Sequence, residues 1–566
     1  MIRSALFMLV VALCLSLLTT AAAAPVPTPI PSPSARRTIQ APVRVDAPFT
    51  PRSPTEAKST GRRIPRHDLF PQDQERAARA QITTQGLTPS PFTLPLSAPT
   101  SLFAPQNAIS AQSFEAIDNL DDGEPPDGAL AASPAYLVYA VNQHIAARNI
   151  GTGAVSGPTS LYSFFAPALT TGGGPIPTYT LLTDPRLVYD PAAGHFICVV
   201  DAYDSYDGLS WILLGVSGTS DPTGSWWISW IDARYDGSTL TSNWADYPTL
   251  GIDNQAAYIG TNMYSSGGSF QYAKLMILSL AAMESGTLSS IYEFWQMTDP
   301  STRGYSFTLQ PATVQGGTTN GYMYLVNSVY NLYGGNALTL WALSNPLTSP
   351  SLTRQTITVP SFSLPVGGRQ PGTSVTLEAG DNRLLSAVFN YGRLFVTQET
   401  STDAGAGVQD VGILYEVWPA TAYLANEAYV GWVGVDALYP SVGVDRYNDA
   451  FVGFDCTSPS LDPSICVATR SISTPAYQMD VAQVLFYGAY DYNGSRYGDY
   501  HATVGSPSGT SAWTLNEYAV SPATYGWGTR INLVSYVPPT PTVTPTPTPA
   551  PMNYRTYIPV VFDQSP

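Results

Sequence analysis

The feature that most constrains this chain is a motif that recurs seven times at intervals of 57, 63, 63, 60, 69 and 61 residues. The stretch "DYPTLGIDNQAAYIGTN" (residues 246–262) shows it in full. Aligned on Tyr247-Pro248, the same place is taken by Asp127-Gly128, Asp184-Pro185, Gln310-Pro311, Gln370-Pro371, Tyr439-Pro440 and Tyr500-His501. Six residues further on stand Ser133, Asp190, Asp253, Gly316, Thr376, Asp445 and Ser506, most of them turn formers. An apolar strand then closes on Asn142, Asp201, Asn262, Asn327, Asn390, Asp455 or Asn516. The fifth copy fits least well, needing extra residues before Asn390.

Each copy has room for four antiparallel strands with loops, and period-2 and apolar strand runs dominate. One such sheet cannot bury both faces, so copies must stack, and radial stacking protects their edges. The reading is all-β: a seven-bladed β-propeller of four-stranded antiparallel blades with disordered Pro-rich flanks. A β-sandwich array fits less well, because the copies share one strict pattern. The last copy has too little chain for four strands, so a strand from about residues 112–120 is expected to complete it and close the ring.

The flanks differ in composition. Residues 1–23 read as a signal peptide: Arg3, the apolar "ALFMLVVALCLSLL", then small residues with Ala21 and Ala23 suited to cleavage. Residues 24–110 are rich in Pro, Ser, Thr and Ala, with the pairs Arg36-Arg37 and Arg62-Arg63, and are expected to be an unfolded spacer or propeptide. The propeller is assigned to 111–537, a Pro/Thr stalk to 538–551 and a short tail to 552–566. From residue 111 onward, 14 Lys and Arg face 36 Asp and Glu, a balance of −22. Such acidity disfavours nucleic acid and anionic lipid and suits cations and polyols. No apolar run after the leader is long enough to span a bilayer. The expectation is a secreted or cell-surface monomer that meets an extracellular glycan or protein. Cys456 and Cys466 bracket a short loop and predict a disulfide, and Cys198 reads as a buried thiol.

Four stretches carry a family resemblance: "PPDGALAASPAYLVYAVNQHIAARNIGTG", "DPRLVYDPAAGHFICVVDAY", "DYPTLGIDNQAAYIGTN" and "YGDYHATVGSPSGTSAWTLNEY". Over residues 115–535 the chain resembles exported bacterial seven-bladed propeller proteins, a family without a defined activity. Tyr497 stands where such proteins often have Trp. The tail "YRTYIPVVF" is similar to short Tyr-x-Pro-aliphatic tags on exported proteins of filamentous bacteria, which implies sorting or surface retention.

In each blade the first two strands should be hairpin partners, so the start of the first lies beside the end of the second. Both columns then share one rim around the axis. A ligand face there would use Asp127, Asp184, Arg186, Asp246, Tyr247, Gln310, Gln370, Tyr439, Asp499 and Tyr500. Planar aromatics beside acids and amides suit sugars, whose C–H faces stack and whose hydroxyls hydrogen-bond. The competing reading is structural, with Asn and Asp capping turns and proline opening strands. No cofactor is required, and Ca²⁺ is admissible, with Asp201, Asp204 and Asp207 of "DAYDSYDG" as candidate ligands despite lacking EF-hand spacing. Enzyme motifs are missing: no H-E-x-x-H, no P-loop, and Pro507 where "GSPSG" would need a nucleophile. "TSDPTGSWW" (219–227) only loosely resembles a sialidase Asp-box and has no second copy. The chain therefore leans toward a binding module. If it is instead a carbohydrate-active enzyme, Asp184, Asp246, Asp499, Tyr500 and His501 are the acid, base and proton-carrying candidates. A structural cell-surface component is the third alternative.

Overall fold

A computed structural model describes residues 34–49, 66–87, 108–119, 123–204, 207–480, 482–494, 496–522 and 525–536. The leader, stalk and tail assigned from sequence lie outside these residues.

Seven antiparallel blades follow one another along the chain. In blade 3 the strands are Trp244–Ile252, Ala256–Tyr264, Phe270–Ser279 and Ser290–Trp295, paired in sequence order from the axis outward. The other inner strands are Ala129–Ala132, Leu181–Asp190, Gln310–Pro311 with Thr313–Gly316, Leu384–Asn390, Asp436–Val444 and Ala502–Gly505. Each touches the next, and Ala502–Gly505 against Ala129–Ala132 completes the circle. All nine residues of Trp244–Ile252 are buried, because this strand is covered on both faces. Gly251 permits the closest approach: a Cβ there would lie 2.5 Å from the Ala312 carbonyl oxygen of blade 4.

Closure occurs as expected but slightly earlier in the chain. The strand Ala108–Glu115 pairs antiparallel with Trp527–Tyr536 and becomes the outer strand of blade 7. First and last segments thus share one sheet, which ties the ends of the ring together. The Cys456–Cys466 disulfide forms between adjacent strands of blade 6, and Cys198 is a buried free thiol.

The repeated dipeptide has a backbone meaning. Asp127, Asp184, Tyr247 and Tyr439 all take left-handed φ of 48–54°. Register shifts follow at Thr183/Arg186, Asp246/Thr249 and Leu438/Ser441, marking a bulge where each inner strand enters the ring. A left-handed conformation is costly for a residue with a Cβ, so its amide is held from the neighbouring blade. Asn142 Oδ1 accepts from Asp184 N (2.8 Å), and Glu399 Oε2 accepts from Tyr439 N (3.0 Å). Asn262 Oδ1 likewise accepts from Thr308 N (2.8 Å). The Asn/Asp column therefore stitches blades together.

The same bonds correct the alignment. In blade 4 the left-handed residue is Thr308, two before Gln310. In blade 5 the inner strand is Leu384–Asn390, so Asn390 ends the first strand and not the second. Gln370 lies outside any strand, and its side chain bonds the backbone of Tyr492. The long loop before Leu384 displaced the pattern, because spacing alone does not separate a strand from a loop that ends in one.

The expectation of an unfolded spacer is corrected for its described parts. Ser34–Thr38 adds a fifth strand to blade 3, and Val43–Asp46 adds one to blade 2. Backbone pairing to an open edge requires little apolar burial, which explains why composition hid these strands. Arg37 anchors the first by an ion pair to the buried Glu293 at 2.7 Å. The helix Gln72–Gln85 buries Ala78 and Ile82 against Leu364, and Arg79 donates to the carbonyls of Pro365 and Gly380.

Candidate functional site

The bulges bring most of the predicted rim residues together. The Arg186 guanidinium lies 3.2 Å from the Tyr500 ring centroid and 4.8 Å from that of Tyr247. Tyr247 meets Tyr500 edge-on at 5.6 Å, and Arg383 covers Tyr247 at 4.3 Å. The Tyr500 hydroxyl donates to Pro185 O (2.9 Å), and Arg186 Nε donates to Pro248 O (2.7 Å). This Arg–Tyr layer spans blades 2, 3 and 7. Burial opposes the Arg186 charge, yet the Tyr500 and Tyr247 hydroxyls and Asp184 hold its pKa above the usual value.

On one side of this layer lies a field of buried acids. Asp127 Oδ1 accepts from Asp499 N, and its Oδ2 accepts from Asn142 Nδ2, both at 2.7 Å. Burial, then the charges of Asp499 and Asp184, pushes the Asp127 carboxyl well up. Asp184 is pushed up to about 7 by burial, with Asp246 and Asp499 adding to it. Arg496 ion-pairs with Asp499 and with Glu378. Tyr439 donates to Glu378 O (2.7 Å) and lies edge-on to His501 at 5.7 Å. His501 itself meets Asp455 through Nε2 at 2.5 Å.

The chain's own N-terminal segment covers this field. Arg66 pairs with Asp68 (2.5 Å), Glu75 (3.8 Å), Glu378 (3.6 Å) and Asp381 (3.9 Å). Arg383 bridges Asp381 (2.8 Å) and Asp68 (3.2 Å). His67 packs edge-on against Trp244 at 4.6 Å, and its Nδ1 stands 3.6 Å from Asp246 Oδ2. Burial lowers the His67 pKa, but Asp246 more than reverses this and holds it above the ordinary value. Sequence reasoning placed Arg66, His67, Asp68 and Glu75 in a spacer and missed them. Arg383, Glu399 and Arg496 were also missed, since they fall outside the repeat columns. A signal was available in "RRIPRHDLFPQDQERAAR" at 62–79, a charged run without Ser or Thr that breaks the Pro/Ser/Thr-rich composition around it.

On the other side of the Arg–Tyr layer the axial channel opens. Its cavity is about 490 Å³, walled by Ala, Leu, Val, Ser and Thr of the inner strands. Arg186, Gln310, Tyr500 and His501 line its inner end, while Pro191, Tyr391, Arg446 and Pro507 line its mouth. Tyr391 is 59% exposed there. Arg186 Nη2 and Gln310 Oε1 are buried atoms without hydrogen-bond partners.

The candidate calcium loop does not assemble. Asp201 is fully buried, whereas Asp207 is exposed and accepts from Tyr179. Asp201 and Asp204 are three apart on one strand, His195–Asp204, so they point to opposite faces. Asp201 meets Asp184 and Asp246 instead, within 4.8 Å.

No family model matches the chain, and no curated protein matches it. Solved structures similar to it are β-propellers at low identity. A structure titled Dos1 propeller shares 8% identity with a TM-score of 0.36, covering 76% of this chain and 95% of that one. The α-L-arabinofuranosidase Arb93A of Fusarium graminearum shares 9% identity with a TM-score of 0.35, covering 76% and 98%. The Trypanosoma rangeli sialidase shares 11% identity with a TM-score of 0.32, covering 62% of this chain. The chain spans about half the length of that sialidase, 53% of it.

Proposed function

We propose that this protein is an exported, monomeric propeller that binds the end of a glycan in its axial channel. The observation that carries the reading is the 490 Å³ channel with Arg186, Gln310, Tyr500 and His501 at its inner end. That volume lies in the range of small-ligand sites, about 300–1,000 Å³. The unpartnered Arg186 Nη2 and Gln310 Oε1 supply a donor and an acceptor for sugar hydroxyls. The apolar wall takes the C–H faces of the sugar, and Tyr391 at the mouth offers a ring for the next unit. The Cys456–Cys466 disulfide agrees with an oxidising compartment. Among the described residues no helix is long and apolar enough to cross a membrane. The test is retention on a panel of immobilised oligosaccharides. Gln310→Ala should lose the retained sugar at least about tenfold while keeping the melting temperature, since a truncated polar contact in a closed site is worth about 1–3 kcal/mol. Equal retention by Gln310→Ala would contradict the reading.

A second reading, an extracellular carbohydrate-active enzyme, is favoured by one observation. Asp184, with its pKa raised to about 7, lies in the electrostatic field of Asp246 and Asp499. The segment at Arg66–Asp68 covers these acids, so this reading requires it to withdraw. Product release from the oligosaccharide panel by an Arg66→Ala/His67→Ala variant, abolished by Asp184→Asn, would support the enzyme. No product from that variant would sink it.

A further inference from the structure

We propose that Asp184, Asp201 and Asp246 hold a calcium ion between blades 2 and 3, beneath His67. One oxygen from each carboxylate lies within 4.8 Å of the others, a spread that accommodates oxygen–calcium distances of about 2.3–2.6 Å. The donor set is all oxygen and carries up to three negative charges, which selects a hard cation.

Two features of the surroundings point to a missing partner. Asp201 is 0% exposed, and neither of its oxygens has a hydrogen-bond partner on another residue. Independently, the Tyr203 hydroxyl is buried and unpartnered, and it lies in the field of Asp246, Asp201 and Asp184 together. A buried hydroxyl and two buried carboxylate oxygens left without partners are costly unless something bonds them. Asp184 gives one oxygen to the Thr183 hydroxyl at 3.2 Å. Among the described residues no arginine or lysine comes within ion-pair distance of these three acids; His67 stands 3.6 Å from Asp246, and Arg186 and Arg496 act on Asp184 only from longer range. The acids at Asp68, Glu75 and Asp381 differ, each carrying an arginine partner. The Asp455–His501–Glu517 group also differs, because His501 already bonds Asp455 at 2.5 Å.

The ion would join the inner strands Leu181–Asp190 and Trp244–Ile252 to the second strand of blade 2, His195–Asp204. This goes beyond the ligand channel and stands whether or not the channel takes a glycan.

The experiment uses the full mature chain. Protein equilibrated with calcium at pH 7.5 and desalted is analysed for metal, and its melting temperature is recorded with and without chelator. The expected result is one tightly held calcium and a fall of about 5 °C on chelation. Asp201→Asn should lose both, whereas Asp204→Asn and Asp207→Asn should keep both. Asp201→Asn removes a buried charge and is expected to fold, which its own melting transition verifies; should it not fold, Tyr203→Phe provides the second variant, expected to weaken calcium retention. No retained calcium with no chelator effect would overturn the proposal. Equal retention by Asp201→Asn, or by Tyr203→Phe in its place, would also overturn it, assigning the ion to the acidic surface.

Discussion

Two carboxylate triads occupy the same side of this propeller, and they are balanced in opposite ways. Asp68, Glu75 and Asp381 share Arg66, Arg79 and Arg383, three guanidinium groups for three acids. Although burial raises the Asp381 pKa, Arg383 and Arg66 more than reverse this and hold it well below the usual carboxylate range, while Glu75, 3.8 Å from Arg66, is still pushed up to about 7 by burial and Asp68. Asp184, Asp201 and Asp246 are also buried, and among the described residues only His67 comes within ion-pair distance of them, with Arg186 and Arg496 acting from farther off. There burial and mutual repulsion push Asp201 well up and Asp184 to about 7. Depth alone does not decide a buried acid's state; the closeness and geometry of its counter-charge count as well. The first triad is a lock that fastens the N-terminal segment to the ring. The second is short of positive charge.

The comparison can be broken most forcefully at the lock. Arg383→Met leaves Asp381 without its closest partner and Asp68 with Arg66 alone, and removing one side of a buried pair costs about 3–5 kcal/mol. Chemical denaturation should show that loss at neutral pH. It should shrink as acid protonates the carboxylates, because a depressed pKa contributes stability that disappears as pH falls through the folded value.

A lone buried acid separates burial from repulsion. Glu427 is pushed from its ordinary 4.5 to about 8 by burial alone, with Oε2 unpartnered. Its raised pKa makes the folded state strongest below the ordinary value, with stability lost as pH climbs toward 8. Glu427→Gln should therefore be neutral at pH 4 and stabilising by about 2 kcal/mol at pH 9. A flat difference across that range would contradict burial as the cause.

The smallest effect is expected in the second triad. With chelator present at pH 7.5, Asp201→Asn should raise stability by about 1 kcal/mol, since a buried acid that raises the cost of ionising its two neighbours is gone. The gain is modest because the cluster already shares protons at that pH. With calcium added the sign should reverse. Stability lower than wild type under both conditions would mean that Asp201 has a partner of another kind.

The ring was legible in the sequence because a propeller repeats its local grammar. Tyr247-Pro248 and Asp184-Pro185 mark the same left-handed bulge, and Asn142 and Asn262 hold the next blade's amide. The closing strand and the Cys456–Cys466 bridge were legible for the same reason, since both are fixed by short spacings or by a missing strand. Gln310 and Gln370 misled because an X-Pro pair also occurs off the bulge, and only hydrogen bonds reveal the register. Convergence of Arg186, Tyr247 and Tyr500 was anticipated, but not that Arg66–Asp68 would cover the acids beside them. That contact joins residues more than three hundred positions apart, as in Arg66 to Ala379, and no periodicity encodes it. Asp201 was singled out with the wrong companions, because neighbours in sequence on a strand face opposite sides.

The most direct test of the contrast between the triads is a crystal structure of the full mature chain grown with Mn²⁺, an oxygen-seeking ion visible by its anomalous signal. The account predicts a peak among Asp184, Asp201 and Asp246 and none among Asp68, Glu75 and Asp381. A peak at both triads, or at neither, would contradict it.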